Sequence, residues 1–164
     1  MGRLVDVIDG VNRLIARVVR WLALLMVLVQ FGIVLGRYVF GVNSIAVQEL
    51  VLYMHATLFM LGAAYTLQID KHVRVDIFYS RLSEAARWRI DVFGHLFLLL
   101  PSMAALLYWS WPSVANSWKI FEGPISVGGL KAVFLMKTLI PAFAVTLMLQ
   151  SLSQLAKLLT GERA

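Results

Sequence analysis

The 164-residue chain contains no cysteine, which excludes disulfides, thiolate nucleophiles, iron–sulfur clusters and Cys-ligated zinc sites. Charged residues are also scarce. They make up 15% of the sequence, whereas about a quarter is usual for a soluble domain. By contrast, 60% of the residues are hydrophobic, and the mean hydropathy is +0.80. This composition predicts an integral membrane protein.

The hydrophobic residues are gathered in four blocks, each long enough to cross a bilayer. A transmembrane helix needs about 20 mostly apolar residues, because each residue adds about 1.5 Å along the helix axis. The blocks cover residues 18–40, 46–67, 90–111 and 132–155. We therefore predict an all-α integral membrane protein with four transmembrane helices, forming a single membrane domain over residues 1–164.

The distribution of basic residues predicts the orientation of the four spans. Eleven of the 15 Lys and Arg residues lie before or at the start of the first span, between the second and third, or after the fourth. Since loops rich in Lys and Arg face the cytoplasm, both termini and the central loop are predicted to be cytoplasmic. The same distribution disfavours nucleic acid as a partner, because the net charge of +6 is spread over span ends.

Two segments outside the spans also carry patterns. Residues 3–17 place apolar side chains on one helical face and charged side chains mostly opposite, which predicts an N-terminal amphipathic helix at the membrane surface. In the central loop, residues 72–78 alternate between apolar and polar, and Ser83 is predicted to cap a short helical run over 84–89. We expect this central segment to lie along the cytoplasmic surface.

Charged residues near the outer ends of the spans are the first candidates for functional contacts. Arg37 lies about one turn before the end of span one, and Glu49 lies about one turn into span two. We predict that they form an ion pair across the turn at 41–44; an ion relay and a contact with another subunit stay open as alternatives. Lys137, near the start of span four, is predicted to extend its ammonium group towards the outer interface.

Two histidines within the spans raise the possibility of a haem site. His55 is predicted to lie about 18 Å above the inner edge of the membrane, and His95 about 8 Å above it. Because one haem needs two axial ligands at nearly the same depth, these positions disfavour bis-His ligation. We expect His55 to hydrogen-bond to a neighbouring helix instead.

Other features of the spans predict local packing. Pro101 and Pro141 each remove a backbone donor and are expected to kink spans three and four. The small residues at 62–64 would allow close approach of another helix. The centres of the spans are otherwise interpreted as apolar.

No set of residues in the sequence matches a catalytic, cofactor or metal motif, so we predict neither an enzyme nor a cofactor-binding protein. A transporter acting alone usually has polar groups and broken helices near the membrane centre. Three hypotheses follow: a transporter subunit that works with a partner, a haem-binding subunit of an electron-transfer complex, and a homo-oligomeric small channel or exporter.

Four short motifs occur in a definite order: RYVF at 37–40, QEL at 48–50, LGAAY at 61–65 and HVRVD at 72–76. Together with the four spans and the chain length, they resemble the small membrane subunit of tripartite ATP-independent periplasmic (TRAP) transporters, the DctQ-like family.

This resemblance implies a non-catalytic subunit in the bacterial inner membrane. It would brace the scaffold of a large multispanning subunit, which moves its solute by an elevator-type motion. A periplasmic receptor would deliver an organic acid, and an ion gradient would drive uptake. Independently of the resemblance, the basic residues of the predicted cytoplasmic face indicate phospholipid as a further partner. Structural or interface roles are expected for Arg37, Glu49, His72, Arg74, Asp76 and Lys137.

Overall fold

The computed structural model describes residues 2–71, 82–124 and 126–161. These residues form four long helices, with no β-strand among them. Each helix is long and apolar enough to cross a membrane, which confirms the prediction of an all-α chain with four candidate spans. The helices are α1 (Gly2–Tyr38), α2 (Ile45–Gln68), α3 (Glu84–Lys119) and α4 (Val133–Thr160).

Helix α1 joins the N-terminal segment and the first predicted span into one helix of 37 residues. Its length of about 55 Å exceeds the hydrocarbon thickness of about 30 Å, so one end extends beyond the bilayer core. Near the N-terminal end of α1, apolar residues such as Leu4 and Val11 are exposed, whereas Asp9 and Asn12 are buried. Asp9 and Asn12 therefore face the other helices, whereas the charged residues Arg3, Asp6, Arg13 and Arg17 are exposed. Its position at the membrane surface stays a prediction.

A short turn joins α1 to α2, as predicted. Helix α1 ends at Tyr38 and α2 begins at Ile45, and the two helices pack against each other. Gly41 has a φ of 65°, a left-handed conformation that glycine adopts without steric cost. The N–H of Val42 donates to the carbonyl of Gly36 over 2.8 Å, which closes the turn onto the end of α1.

Helix α3 contains one turn of π-helix. The hydroxyl of Ser83 accepts a hydrogen bond from the N–H of Ala86 over 3.4 Å, which confirms the predicted cap. Residues Gly94–Leu99 then form the π-helical turn. Pro101 follows closely and has no N–H to donate to the carbonyl four residues earlier. The irregularity expected at this proline therefore takes the form of a widened turn.

Helix α4 is the centre of the bundle. It packs against α1, α2 and α3, and so connects the α1–α2 hairpin to α3. Pro141 lies inside α4 and is buried without ending the helix. Beyond it, the buried residues are Ala144 and Leu147, followed towards the C-terminal end by mostly polar residues: Gln150, Ser151, Ser153 and Leu155. These buried polar residues belong to the first of two regions in which side chains bond between helices.

Candidate functional site

Five polar side chains from the start of α1 and the end of α4 form a buried group, which we call the inner cluster. Gln150, Ser153 and Lys157 are spaced by three and four residues, so they lie on one face of α4. Because this face packs against α1, they meet Asp9 and Asn12, which are themselves three residues apart. The cluster thus joins two helix segments that are distant in the sequence.

The carboxylate of Asp9 is the central acceptor of the inner cluster. Its Oδ1 accepts hydrogen bonds from Gln150 Nε2 at 3.0 Å and from Ser153 Oγ at 2.9 Å. Its Oδ2 forms an ion pair with Lys157 Nζ at 2.5 Å. Asn12 Nδ2 donates to Gln150 Oε1 at 2.7 Å. Since Gln150 and Ser153 are fully buried, losing one partner would leave a polar group without a replacement from water.

Helix α4 binds the end of α2 at the neighbouring position. Gln154 Nε2 donates to the carbonyl oxygens of Leu67 and Gln68, at 3.3 and 3.0 Å. Both carbonyls belong to the last turn of α2, where the supply of helical N–H donors ends. The carbonyl of Leu67 also accepts a hydrogen bond from the N–H of Asp70 at 3.2 Å. The side chain of Gln154 therefore holds the end of α2 against α4.

Helix α4 also bonds to α3 through two side chains. His95 Nδ1 lies 2.9 Å from Ser151 Oγ, within hydrogen-bonding distance. Trp88 Nε1 donates to the carbonyl of Leu158 at 3.0 Å. Together with the inner cluster and Gln154, these bonds attach all three other helices to the C-terminal half of α4.

The two span histidines have unrelated surroundings. His55 is exposed, and its ring packs on Phe59 of the same helix, with ring centroids 4.4 Å apart. The expected hydrogen bond from His55 to a neighbouring helix was wrong, because the side chain points away from the bundle. His95 contacts Ser151 on α4. Their contacts therefore give no support to a shared ligand.

At the opposite end of the bundle, Glu49 binds the loop before α4. Its Oε2 accepts a hydrogen bond from the N–H of Leu130 at 2.6 Å. A Cβ atom on Gly129 would lie 2.5 Å from the same oxygen, so any other residue here would force the Glu49 carboxylate to move. The predicted ion pair between Arg37 and Glu49 was wrong. The loop supplies a closer donor to Glu49, and Arg37 Nη2 donates to Asn43 Oδ1 at 3.4 Å.

Two further contacts at this end link α4 to α3 and to the loop that follows α3. Lys137 Nζ forms an ion pair with Glu122 Oε2 at 2.6 Å, and this hydrogen bond lowers the pKa of the Glu122 carboxyl below its ordinary value. Trp118 Nε1 donates to Thr138 Oγ1 at 2.8 Å. Lys137 thus extends from α4 to the loop, with a partner that the sequence did not reveal. We call these two contacts and the Glu49 bond to the loop the outer contacts.

Three of the predicted site residues lie outside the described part of the chain. His72, Arg74 and Asp76 belong to the central segment, for which no structural description is given. Their expected role at the cytoplasmic surface stays a prediction.

Gln30 is a polar residue that sequence reasoning missed. It lies near the middle of the predicted first span and is exposed on α1. With Arg37 of α1 and Gln48 of α2, it lines a cleft of about 290 Å³. Within the described residues its amide makes no hydrogen bond to the chain. The interpretation of the span centres as apolar was therefore wrong at this position.

Comparison with known families identifies the family to which the chain belongs. Residues 26–161 match the model of a family described as "Tripartite ATP-independent periplasmic transporters, DctQ component". This match covers most of the chain. The chain belongs to the DctQ family. The resemblance drawn from the sequence is thereby confirmed, and DctQ proteins are transporter components rather than an enzyme family. A search of curated proteins found no match.

The family match covers one contact region of this DctQ protein completely and the other only in part. The outer contacts, Gln30 and the α4 half of the inner cluster all fall within residues 26–161. Asp9 and Asn12 precede the match, so the α1 half of the inner cluster lies outside it. The signal for this cluster in the sequence is the regular spacing of polar residues in the last third of α4.

Proposed function

We propose that this DctQ protein is a stationary brace for the large membrane subunit of a TRAP transporter. The observation that carries the proposal is that side-chain bonds fasten the helices at both ends of the bundle. The inner cluster and Gln154 attach α1 and α2 to α4. The outer contacts attach α3 and the loop before α4. A bundle fixed at two levels resists shear, which suits a frame against which a partner moves.

The apolar middle of α4 supports a frame rather than a solute pathway. Between its two sets of polar contacts, α4 buries Ala144 and Leu147 against the other helices. Carriers usually place polar groups and interrupted helices near the membrane centre to bind their solute. The pathway therefore belongs to the large subunit.

Family membership supports the remaining steps of the proposed function. A periplasmic receptor delivers an organic acid to the large subunit, and an ion gradient drives its uptake. The chain lies in the bacterial inner membrane with both termini in the cytoplasm, which the excess of Lys and Arg in the terminal and central segments supports.

Gln30 favours one surface for the contact with the large subunit. An amide that is moved into hydrocarbon without a hydrogen bond costs about 4–8 kcal/mol on a water-to-cyclohexane scale. A transmembrane helix with a polar side chain at the same depth would satisfy this amide, whereas lipid tails would not. The cleft lined by Gln30, Arg37 and Gln48 would receive a side chain of that helix.

Deletion of this chain tests the proposal. Uptake of the transporter's organic acid should be lost in the deletion strain and restored by the wild-type chain. Gln30→Leu should weaken co-purification with the large subunit. Ser102→Ala is a matched control, because Ser102 is exposed on α3 and bonds only within its own helix. Uptake that survives deletion, or solute flux through vesicles that contain this chain alone, would contradict the proposal.

A further inference from the structure

A second and larger cleft lies between the first half of α1 and the second half of α2. Its volume is about 780 Å³, within the range of about 300–1,000 Å³ that is common for small-molecule sites. We call it the arginine cleft, because Arg13, Arg17 and Arg20 line its α1 side. Leu58 and Gly62 are among the residues on its α2 side.

The three arginines form a concentrated positive charge. Their spacing of four and three residues places them on one face of α1. All three are exposed, and no carboxylate of the described residues pairs with them or lines the cleft. The carboxylate of the nearby Asp9 forms its ion pair with Lys157 and not with an arginine. Guanidinium groups bind phosphate through paired hydrogen bonds, so this rim has the chemistry of a phosphate site.

The α2 side of the cleft is apolar and open. Leu58, Phe59 and Gly62 belong to the predicted second span, and Phe59 is 64% exposed. A Cβ atom on Gly62 would meet nothing within 4 Å, so the space above this residue is unfilled. The cleft therefore combines a cationic rim with an apolar wall that continues into the span.

We propose that the arginine cleft binds one anionic phospholipid. The lipid phosphate lies at Arg13, Arg17 and Arg20, and an acyl chain lies against Leu58 and Gly62. Charge complementarity favours this occupant, since a single anionic lipid supplies both the negative group and the apolar tail. In the predicted orientation the rim faces the cytoplasm, where basic residues attract anionic headgroups. The inference does not depend on the proposed bracing role.

Lipid titration of the purified full-length chain tests this site. Native mass spectrometry in neutral detergent would compare phosphatidylglycerol with phosphatidylcholine carrying the same acyl chains. We expect one phosphatidylglycerol to bind preferentially. Arg17→Gln should weaken its binding about fivefold, equivalent to about 1 kcal/mol for one basic residue near an anionic surface. Arg3→Gln should leave binding unchanged, because Arg3 is exposed on α1 but lies outside the cleft.

A second pair of variants tests the acyl-chain position. Gly62→Leu should fill the cleft and reduce phosphatidylglycerol binding without changing helix content. Gly32→Leu is the control, because Gly32 is an exposed glycine of α1 with equally open space and lies outside the cleft. Inorganic phosphate should not displace the lipid, since it supplies no apolar contact.

Three results would overturn the proposal. The first is equal binding of the two lipids, with no effect of Arg17→Gln or Gly62→Leu. The second is displacement of the lipid by inorganic phosphate, which would indicate a simple anion site. The third is cross-linking of Gly62→Cys to the large subunit in a complex that carries no lipid, which would assign the cleft to a protein helix. The cysteine-free chain makes that cross-link specific.

Discussion

Replacing Lys157 with methionine isolates the charge at the centre of the inner cluster. In the structure, Lys157 Nζ lies 2.5 Å from Asp9 Oδ2, and the two side chains are only 15% and 9% exposed. The variant keeps a long side chain but removes the cation, so the carboxylate retains only neutral donors. Breaking a buried ion pair from one side costs about 3–5 kcal/mol. Because Gln150 and Ser153 still donate to Asp9, we expect about 3 kcal/mol, at the lower end.

A second substitution separates charge from packing. Asp9→Asn retains an oxygen that can accept from Gln150 and Ser153 but removes the uncompensated charge. Combined with Lys157→Met, it should therefore recover about 1–2 kcal/mol of the loss, within the usual range for coupled residues. The double variant is thus expected to be more stable than Lys157→Met alone.

Hydrogen exchange at the backbone amides of residues 2–17 measures this effect, because the inner cluster holds the start of α1 against α4. A loss of about 3 kcal/mol corresponds to exchange about 150-fold faster through local opening. Lys119→Met is the matched control, since Lys119 is exposed at the end of α3 and lies outside the cluster. Unchanged exchange in Lys157→Met, or further acceleration when Asp9→Asn is added, would refute the reasoning.

Three further predictions concern the outer contacts and the partner surface. Gly129→Ala would place a Cβ atom 2.5 Å from a carboxylate oxygen of Glu49 and break the bond of that oxygen to the loop, so thermal unfolding should show a loss of about 1.5–3 kcal/mol; an unchanged midpoint would contradict it. The ion pair with Lys137 lowers the pKa of the Glu122 carboxyl, so the stability that it contributes should be present at neutral pH and be lost as the pH falls through the lowered pKa, below the ordinary value of about 4.3. Thermal unfolding of the wild-type chain and of Glu122→Gln, each measured above and below this pH, checks the prediction. The wild-type chain should lose stability at the lower pH, and the variant should lack that loss. Gln30→Leu should leave the thermal midpoint of the isolated chain unchanged or higher while it weakens binding to the large subunit, and equal co-purification would refute this.

The overall architecture was predictable because it depends on long local patterns. Runs of about 20 apolar residues define spans whatever their tertiary contacts, since the bilayer demands internal backbone hydrogen bonds. The cap at Ser83 was predictable for a similar reason, because the bond that forms it reaches only three residues along the chain. The family followed from the order of several short motifs rather than from any one of them.

The partners of the polar residues could not be predicted in the same way. Glu49 bonds to a residue 81 positions later, and Asp9 to one 148 positions later. Sequence reasoning paired Glu49 with Arg37 because only the turn between them was visible. Asp9, among arginines, had the pattern of a solvated helix face. A single glutamine such as Gln30 hardly changes the hydropathy of its span, so its exposed position became apparent only in three dimensions.

The central claim is that this chain stays rigid while its partner moves. Distance measurement between two spin labels tests it most directly, with labels at Arg3→Cys and Val127→Cys in the complex with the large subunit. Both positions are exposed and lie in α1 and in the loop before α4, and the chain has no other cysteine. The account predicts the same distance distribution at rest and during transport with receptor, solute and ion gradient present. A second distance that appears only during transport would contradict it.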